Sequence, residues 1–192
     1  MLFTDFHTHN MSAPAGSAIV SLPLEILLSP ETFEPSDGAS YSAGIHPWWT
    51  DGDVDRMFVG LSALVRHPQV VALGECGLDR LRGASLELQC AIFERQVEMA
   101  SVQSLPVTIH CVRAFGELLR LHKRLKPATV WTVHGFRGGP ALARQLLAAG
   151  MDLSFGLHHN AESLRVTPEH RRHFETDDSG VSLAEVLRAV GL

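Results

Sequence analysis

The chain has 192 residues, 45% hydrophobic and 19% charged, with a formal net charge of −5, the make-up of one globular domain with a sizeable core. That charge argues against a protein held on nucleic acid by long-range attraction alone. With no apolar run of about 18 residues and no basic-then-apolar leader, neither a membrane-spanning helix nor a signal peptide is expected.

Short β-like runs alternate with helical patterns. The expected strands are "LFTDFHTH" (2–9), "AIVSLP" (18–23), "YSAGIH" (41–46), "VVALGE" (70–75), "PVTIHC" (106–111), "TVWTVHG" (129–135), "MDLSFG" (151–156) and "HFETD" (173–177). The expected helices cover 53–66, 84–103, 113–126, 139–150 and 182–190. This alternation predicts a parallel sheet with helical crossovers, in an α/β, TIM-barrel-like (β/α) fold formed by a single domain over 1–192. Such barrels typically run to about 250 residues, so this one is expected to be trimmed in its first units and at its C-terminus. About eight residues separate the first two strands, too few for a crossover helix, and the 24–40 connection admits at most a short one.

The three cysteines, Cys76, Cys90 and Cys111, form no CxxC and read as reduced thiols of a cytoplasmic protein. Eleven histidines stand against two lysines, and the placement of the histidines matters more than their number. In "TDFHTHN", His7 and His9 are two residues apart, so a strand aims both at one spot. Six strand-like runs finish on a metal-capable side chain: His7 and His9, His46, Glu75, His110, His134 and Asp177. In an α/β barrel those ends gather at one mouth.

Four imidazoles (His7, His9, His110 and His134) and two carboxylates (Glu75 and Asp177) suit two divalent cations, and imidazole favours Zn, Mn, Fe or Ni over a purely hard ion. Two such ions would make the mouth positive on a negative protein, a site for an anionic substrate such as phosphate, and would lower the pKa of a shared water towards neutrality. The resulting hydroxide would attack phosphorus or a carbonyl carbon. Asp177 is the candidate to accept the water's proton. Many barrel hydrolases bridge their metals with a carboxylated lysine. No lysine occurs before Lys123, so Glu75 takes that place.

Around this set, His46 is a candidate substrate contact, as are Arg113 and Arg137, each three residues beyond a ligand histidine where a loop enters a helix. Trp48 and Trp49 are expected to pack over the rim, with stacking on a base as the alternative. Asp79 either orients a ligand or caps its loop. The run "EHRRH" (169–173) reads as solvated surface, with guidance of a polyanion as the alternative. Cys76 and Cys111 are expected to turn towards the helices. Gln89 and Gln96 share a helix face with Phe93 and Ala100 and are expected to tie that helix to the barrel.

Together the segments "DFHTHN", "GIHPWW", "ALGECGLD", the Q-x3-F-x2-Q-x3-A helix, "PVTIHC", "HGFRGGP", "LSFG" and "ETDDS" resemble the TatD family of metal-dependent deoxyribonucleases, within the metallo-dependent hydrolase barrels. The resemblance covers nearly the whole chain, with "GECGLD" and "ETD" its specific parts. "DFHTHN" alone fits the PHP phosphoesterases equally. The resemblance implies His7, His9, Glu75, His110, His134 and Asp177 as metal ligands, Asp177 as catalytic acid/base, and hydrolysis of DNA phosphodiester bonds, typically from an end. The cofactor expectation is two divalent ions, Zn, Mn or Mg. The expected partners are DNA ends or oligonucleotides, or a small anionic substrate, with no membrane and no obligate protein partner. The chain departs from longer members in its missing first crossover helix, in H-C-V-R-A where H-x-R-D-A is commoner, and in its short tail after Asp177. Shortened loops and negative charge keep a second reading open, a metal-dependent hydrolase of amide, ester or lactone bonds in small molecules.

Overall fold

The structure, a computed structural model, describes residues 4–192. Its eight strands are β1 (Asp5–Thr8), β2 (Ala18–Ser21), β3 (Ser40–Ala43), β4 (Val70–Asp79), β5 (Val107–Val112), β6 (Trp131–Val133), β7 (Asp152–Phe155) and β8 (Arg172–Phe174). They pair in sequence order, each parallel to the next. Beyond β8 an isolated parallel bridge joins Thr8 to Asp177, so the sheet returns to its first strand and forms the expected barrel. Residues 2 and 3 of the first expected strand lie outside the described residues.

The helices are α1 (Leu24–Leu28), α2 (Val54–Leu64), α3 (Leu86–Gln103), α4 (Phe115–Leu125), α5 (Pro140–Ala148), α6 (Ala161–Val166) and α7 (Leu183–Ala189). Side-chain caps start four of them: Asp53 accepts from Arg56 N, Ser85 from Leu88 N, Asn160 from Glu162 N and Ser163 N, and Ser182 forms a reciprocal capping box with Glu185. The trimming falls where the chain length required it. No helix lies between β1 and β2, and α1 with a 3-10 turn at Pro30–Thr32 is all that lies between β2 and β3. This short connection packs hard on α2, because a Cβ at Gly60 would stand 1.8 Å from the Leu27 carbonyl oxygen.

Every residue of β4 except Val71 is buried, as a parallel strand covered on both faces requires. Trp131, Phe93, Phe136 and Phe155 fill the core, with Phe93 edge-on to Trp131 at 5.1 Å. The two glutamines of α3 tie helix to barrel as expected. Gln96 Oε1 accepts from Ile45 N at 2.6 Å and its amide donates to Ile45 O at 3.1 Å. Gln89 accepts from Asp79 N at 2.7 Å and donates to the carbonyls of Asp79, Arg82 and Ala84. Both grip residues beside the mouth.

Three expectations need correction. β4 does not stop at Glu75; it continues to Asp79 because Gly77, Leu78 and Asp79 keep pairing with His110, Cys111 and Val112. The short α6 was not anticipated; six residues are too few for a helical period to stand out. The "EHRRH" run is solvated surface only at Glu169 and His170, and it is no guide at the mouth. Arg171 Nε donates to Asp152 Oδ1 at 2.7 Å and Arg172 donates to the Thr167 carbonyl at 2.5 Å, at the starts of β7 and β8, the barrel end opposite the mouth.

Candidate metal centre

Five imidazoles surround one carboxylate. Glu75 Oε2 lies 3.1 Å from His7 Nε2 and 3.3 Å from His9 Nε2. Its Oε1 lies 3.0 Å from His46 Nε2, 2.8 Å from His110 Nδ1 and 2.7 Å from His134 Nε2. The two oxygens thus divide the histidines into two groups. Asp177 Oδ1 approaches from the solvent side, 3.5 Å from His9 Nε2 and 3.7 Å from His7 Nε2. All six residues expected as ligands therefore meet, although they come from β1, β4, β5, the end of β6 and the continuation of β8.

Backbone geometry holds the seam of this cluster. Asp177 takes a left-handed φ of 52°, which Asp tolerates better than most residues. Its N–H donates to His7 O at 3.0 Å and its carbonyl accepts from His9 N at 3.2 Å. Asp5, two residues before His7, accepts from Thr176 N at 3.0 Å and from Thr176 Oγ1 at 2.6 Å, locking β1 to the end of the chain's last strand.

Outer carboxylates set the histidine tautomers. Glu175, fully buried, accepts from His134 Nδ1 at 3.2 Å and from Gly135 N at 2.6 Å. Asp79 accepts from His110 Nε2 at 3.2 Å, from Trp48 Nε1 at 2.7 Å and from Leu81 N at 2.7 Å, so it both orients a histidine and caps its loop. With those N–H groups turned outward, His134 Nε2 and His110 Nδ1 present lone pairs to the centre. His46 is wired the opposite way. Its Nδ1 accepts from Trp48 N at 3.1 Å, so Nε2 carries the hydrogen and faces the centre as a donor. Burial keeps this imidazole below its ordinary pKa, with Glu75 pulling the other way.

Lone pairs facing an ionised carboxylate at 2.7–2.8 Å repel unless positive charge lies between them. His134 meets that demand with a proton: burial opposes its charge, but Glu75 and Glu175 outweigh burial and hold its pKa well above the usual value. Reciprocally, burial would raise the Glu75 carboxyl, but the charge of His134 and the hydrogen bonds from His134 and His46 hold it well below the usual range. Burial leaves the Asp177 carboxyl above its ordinary value. A cation satisfies the same demand as the proton. Buried His7 supports the fit, since neither ring nitrogen is aligned for a hydrogen bond. Among the described residues, His7, His9 and Glu75 bring donor atoms within 4.8 Å of one another, as do His7, His134 and Asp177, and His46, Glu75 and His110.

A cavity of about 710 Å³ opens over this cluster. Arg113 and Arg137 line it, both exposed, and Trp48 and Trp49 form part of its wall. Cys76 is buried as expected. Cys111 differs: it is half-buried and lines the cavity, and burial pushes its thiol up to about 12. Sequence reasoning assigned no role to Glu175 or Asp5. The usable signal was the strand alternation that sets Glu175 two residues from Asp177 and Asp5 two residues from His7.

The sequence model of the family described as TatD related DNase matches residues 20–178. A Cronobacter turicensis protein named 3′-5′ ssDNA/RNA exonuclease TatD is 36% identical over 155 residues, 73% of this chain and 57% of that protein. One of the same name from Musicola paradisiaca is 35% identical over 149 residues, 71% of this chain and 55% of that protein. The chain thus spans little more than half the length of these curated relatives. The solved structure of YJJV, a TatD homologue from Escherichia coli K12, superposes with a TM-score of 0.79 over 98% of this chain and 88% of that one at 23% identity. A TatD-family hydrolase from Entamoeba histolytica gives 0.63 over 83% and 59% at 24% identity. At these identities the likeness shows the fold.

Proposed function

Because this chain belongs to the TatD-related DNase family, we propose that it is a divalent-metal-dependent phosphodiesterase that removes nucleotides from the ends of single-stranded nucleic acid. The observation that carries the reading is the division of five imidazoles between the two oxygens of Glu75, with Asp177 facing them. His7 and His9 on one side, His110 and His134 on the other, and Glu75 between them with Asp177 would hold two ions, with Zn, Mn and Mg as the ions to try. Bound there, they would acidify a water and neutralise charge on a phosphate.

The chain's own groups supply the rest. Asp177, half-exposed and kept basic enough by burial to take a proton, receives the one shed by the attacking water. The His46 Nε2–H donates to a phosphate oxygen. Arg113 and Arg137 hold neighbouring phosphates, beside α4 and α5, whose first turns have no side-chain cap and leave N–H groups for an anion. The relatives' names support phosphodiester over amide or lactone chemistry. Three free cysteines support a reducing compartment, the cytoplasm; among the described residues no helix is long and apolar enough to cross a membrane.

The test is metal analysis of purified protein, followed by metal-dependent release of nucleotides from end-labelled single strands, with simple phosphodiesters and an amide and lactone panel alongside. Activity confined to the amide or lactone panel, or metal-loaded protein that leaves every phosphodiester intact, refutes the proposal.

A further inference from the structure

Trp48 behaves unlike a packing residue. It sits on the 3-10 turn Pro47–Trp49, beside Trp49, which packs against the core. Both line the cavity, but Trp48 is 42% exposed and does not join the core. Its orientation is fixed twice, by its backbone N–H on His46 Nδ1 and by its indole N–H on Asp79 Oδ2. The Arg82 guanidinium lies over the ring, 4.2 Å from its centroid, and the Arg82 backbone is anchored in turn by Gln89. The indole stands beside both halves of the centre, 4.8 Å from the His46 ring and 5.7 Å from the His110 ring.

A part-exposed indole, backed by a guanidinium and next to a centre that bound divalent ions would make cationic, matches the chemistry that holds a single-stranded base: a π-face that accepts any base, with positive charge nearby for the phosphate. We infer that Trp48, with Arg82, is a base-stacking platform that seats the unpaired base adjoining the scissile phosphate. This rests on the phosphodiesterase reading and gives its single-strand selectivity a structural basis in one side chain, with little preference among bases.

The test separates base from backbone. Affinity is read by fluorescence anisotropy on the metal-loaded protein for a short labelled oligothymidylate and for an abasic strand of the same length, both with phosphorothioate linkages so that neither is consumed. Trp48→Ala is expected to weaken oligothymidylate binding about 5- to 100-fold and to leave the abasic strand within about twofold of the intact protein. Trp48→Phe keeps a ring but loses the bond to Asp79, and is expected to retain most of the base-dependent affinity. Arg82→Ala should show a smaller loss of the same kind. Equal losses on both strands, no loss on either, no binding by the intact protein, or a Trp48→Phe variant as weak as Trp48→Ala each overturn the platform. Base-dependent binding without metal-dependent cleavage would uphold the platform and refute the hydrolase reading.

Discussion

Glu175 offers the sharpest test of how the centre is held. Its Oε1 takes hydrogen bonds from His134 Nδ1 and Gly135 N at 3.2 and 2.6 Å. Glu175→Ala strands both donors, at about 1–3 kcal/mol for each buried one. The expected loss is about 2–6 kcal/mol from a domain that holds roughly 5–15. Glu175→Gln is the cleaner change, since its amide oxygen still accepts while the negative charge is gone. His134 then loses the anion that turns its N–H outward and makes Nε2 the basic atom. Loss of such an outer partner typically weakens metal binding about 10- to 100-fold. Zn and Mn affinities are read by competition with a fluorescent chelator, beside urea unfolding to show that the variant is folded. A cooperatively folded Glu175→Gln protein that holds metal as tightly as wild type refutes the reasoning.

Asp177→Asn should fold normally, because Asn also tolerates the left-handed backbone and the bonds to His7 and His9 come from the main chain; turnover of labelled single strands should fall at least about 100-fold. Gly60→Ala replaces glycine by a residue about 1 kcal/mol better in a helix, but the new Cβ meets the Leu27 carbonyl at 1.8 Å. The clash wins, and urea unfolding should show a loss of about 1–3 kcal/mol or more; a stabilised variant would contradict the packing of α1 on α2. The third concerns pH. Burial pushes the Asp152 carboxyl up, but hydrogen bonds from His173 and Arg171 outweigh it and hold the group below its usual 3.8. A carboxyl depressed by folding stabilises above the unfolded-state value, and the contribution fades as pH falls through the folded one. Asp152→Asn should therefore be less stable than wild type above the unfolded-state value of 3.8, the difference fading as pH falls through the lower folded-state value.

His7 and His9 were legible because a period of two fixes their common direction without any knowledge of their neighbours. His110, His134 and Asp177 were legible because strands of a parallel barrel share one end. The true length of β4 was not. The apolar run VVALGE reads as a strand that stops at Glu75, and only pairing with His110 to Val112 carries it on. Glu175 was hidden for a different reason: strand alternation hints at a shared face with Asp177, but its partner His134 lies 41 residues away, and alternation alone does not name that partner. Arg171 misled in the same way, since a run of charges looks solvated until Asp152 is set against it. Trp48 and Trp49, adjacent and identical in type, part company only in three dimensions, where both border the cavity but one packs on the core and the other stays open to solvent.

The join between Thr8 and Asp177 makes the first and last strands of the barrel depend on each other. His7 and His9 are braced by Thr176 and faced by Asp177, both more than a hundred residues further along the chain. One residue, Asp177, thus serves two ends: it completes the ring of groups around Glu75 and it makes the bridge that closes the barrel, so a substitution that opens the seam is expected to loosen both.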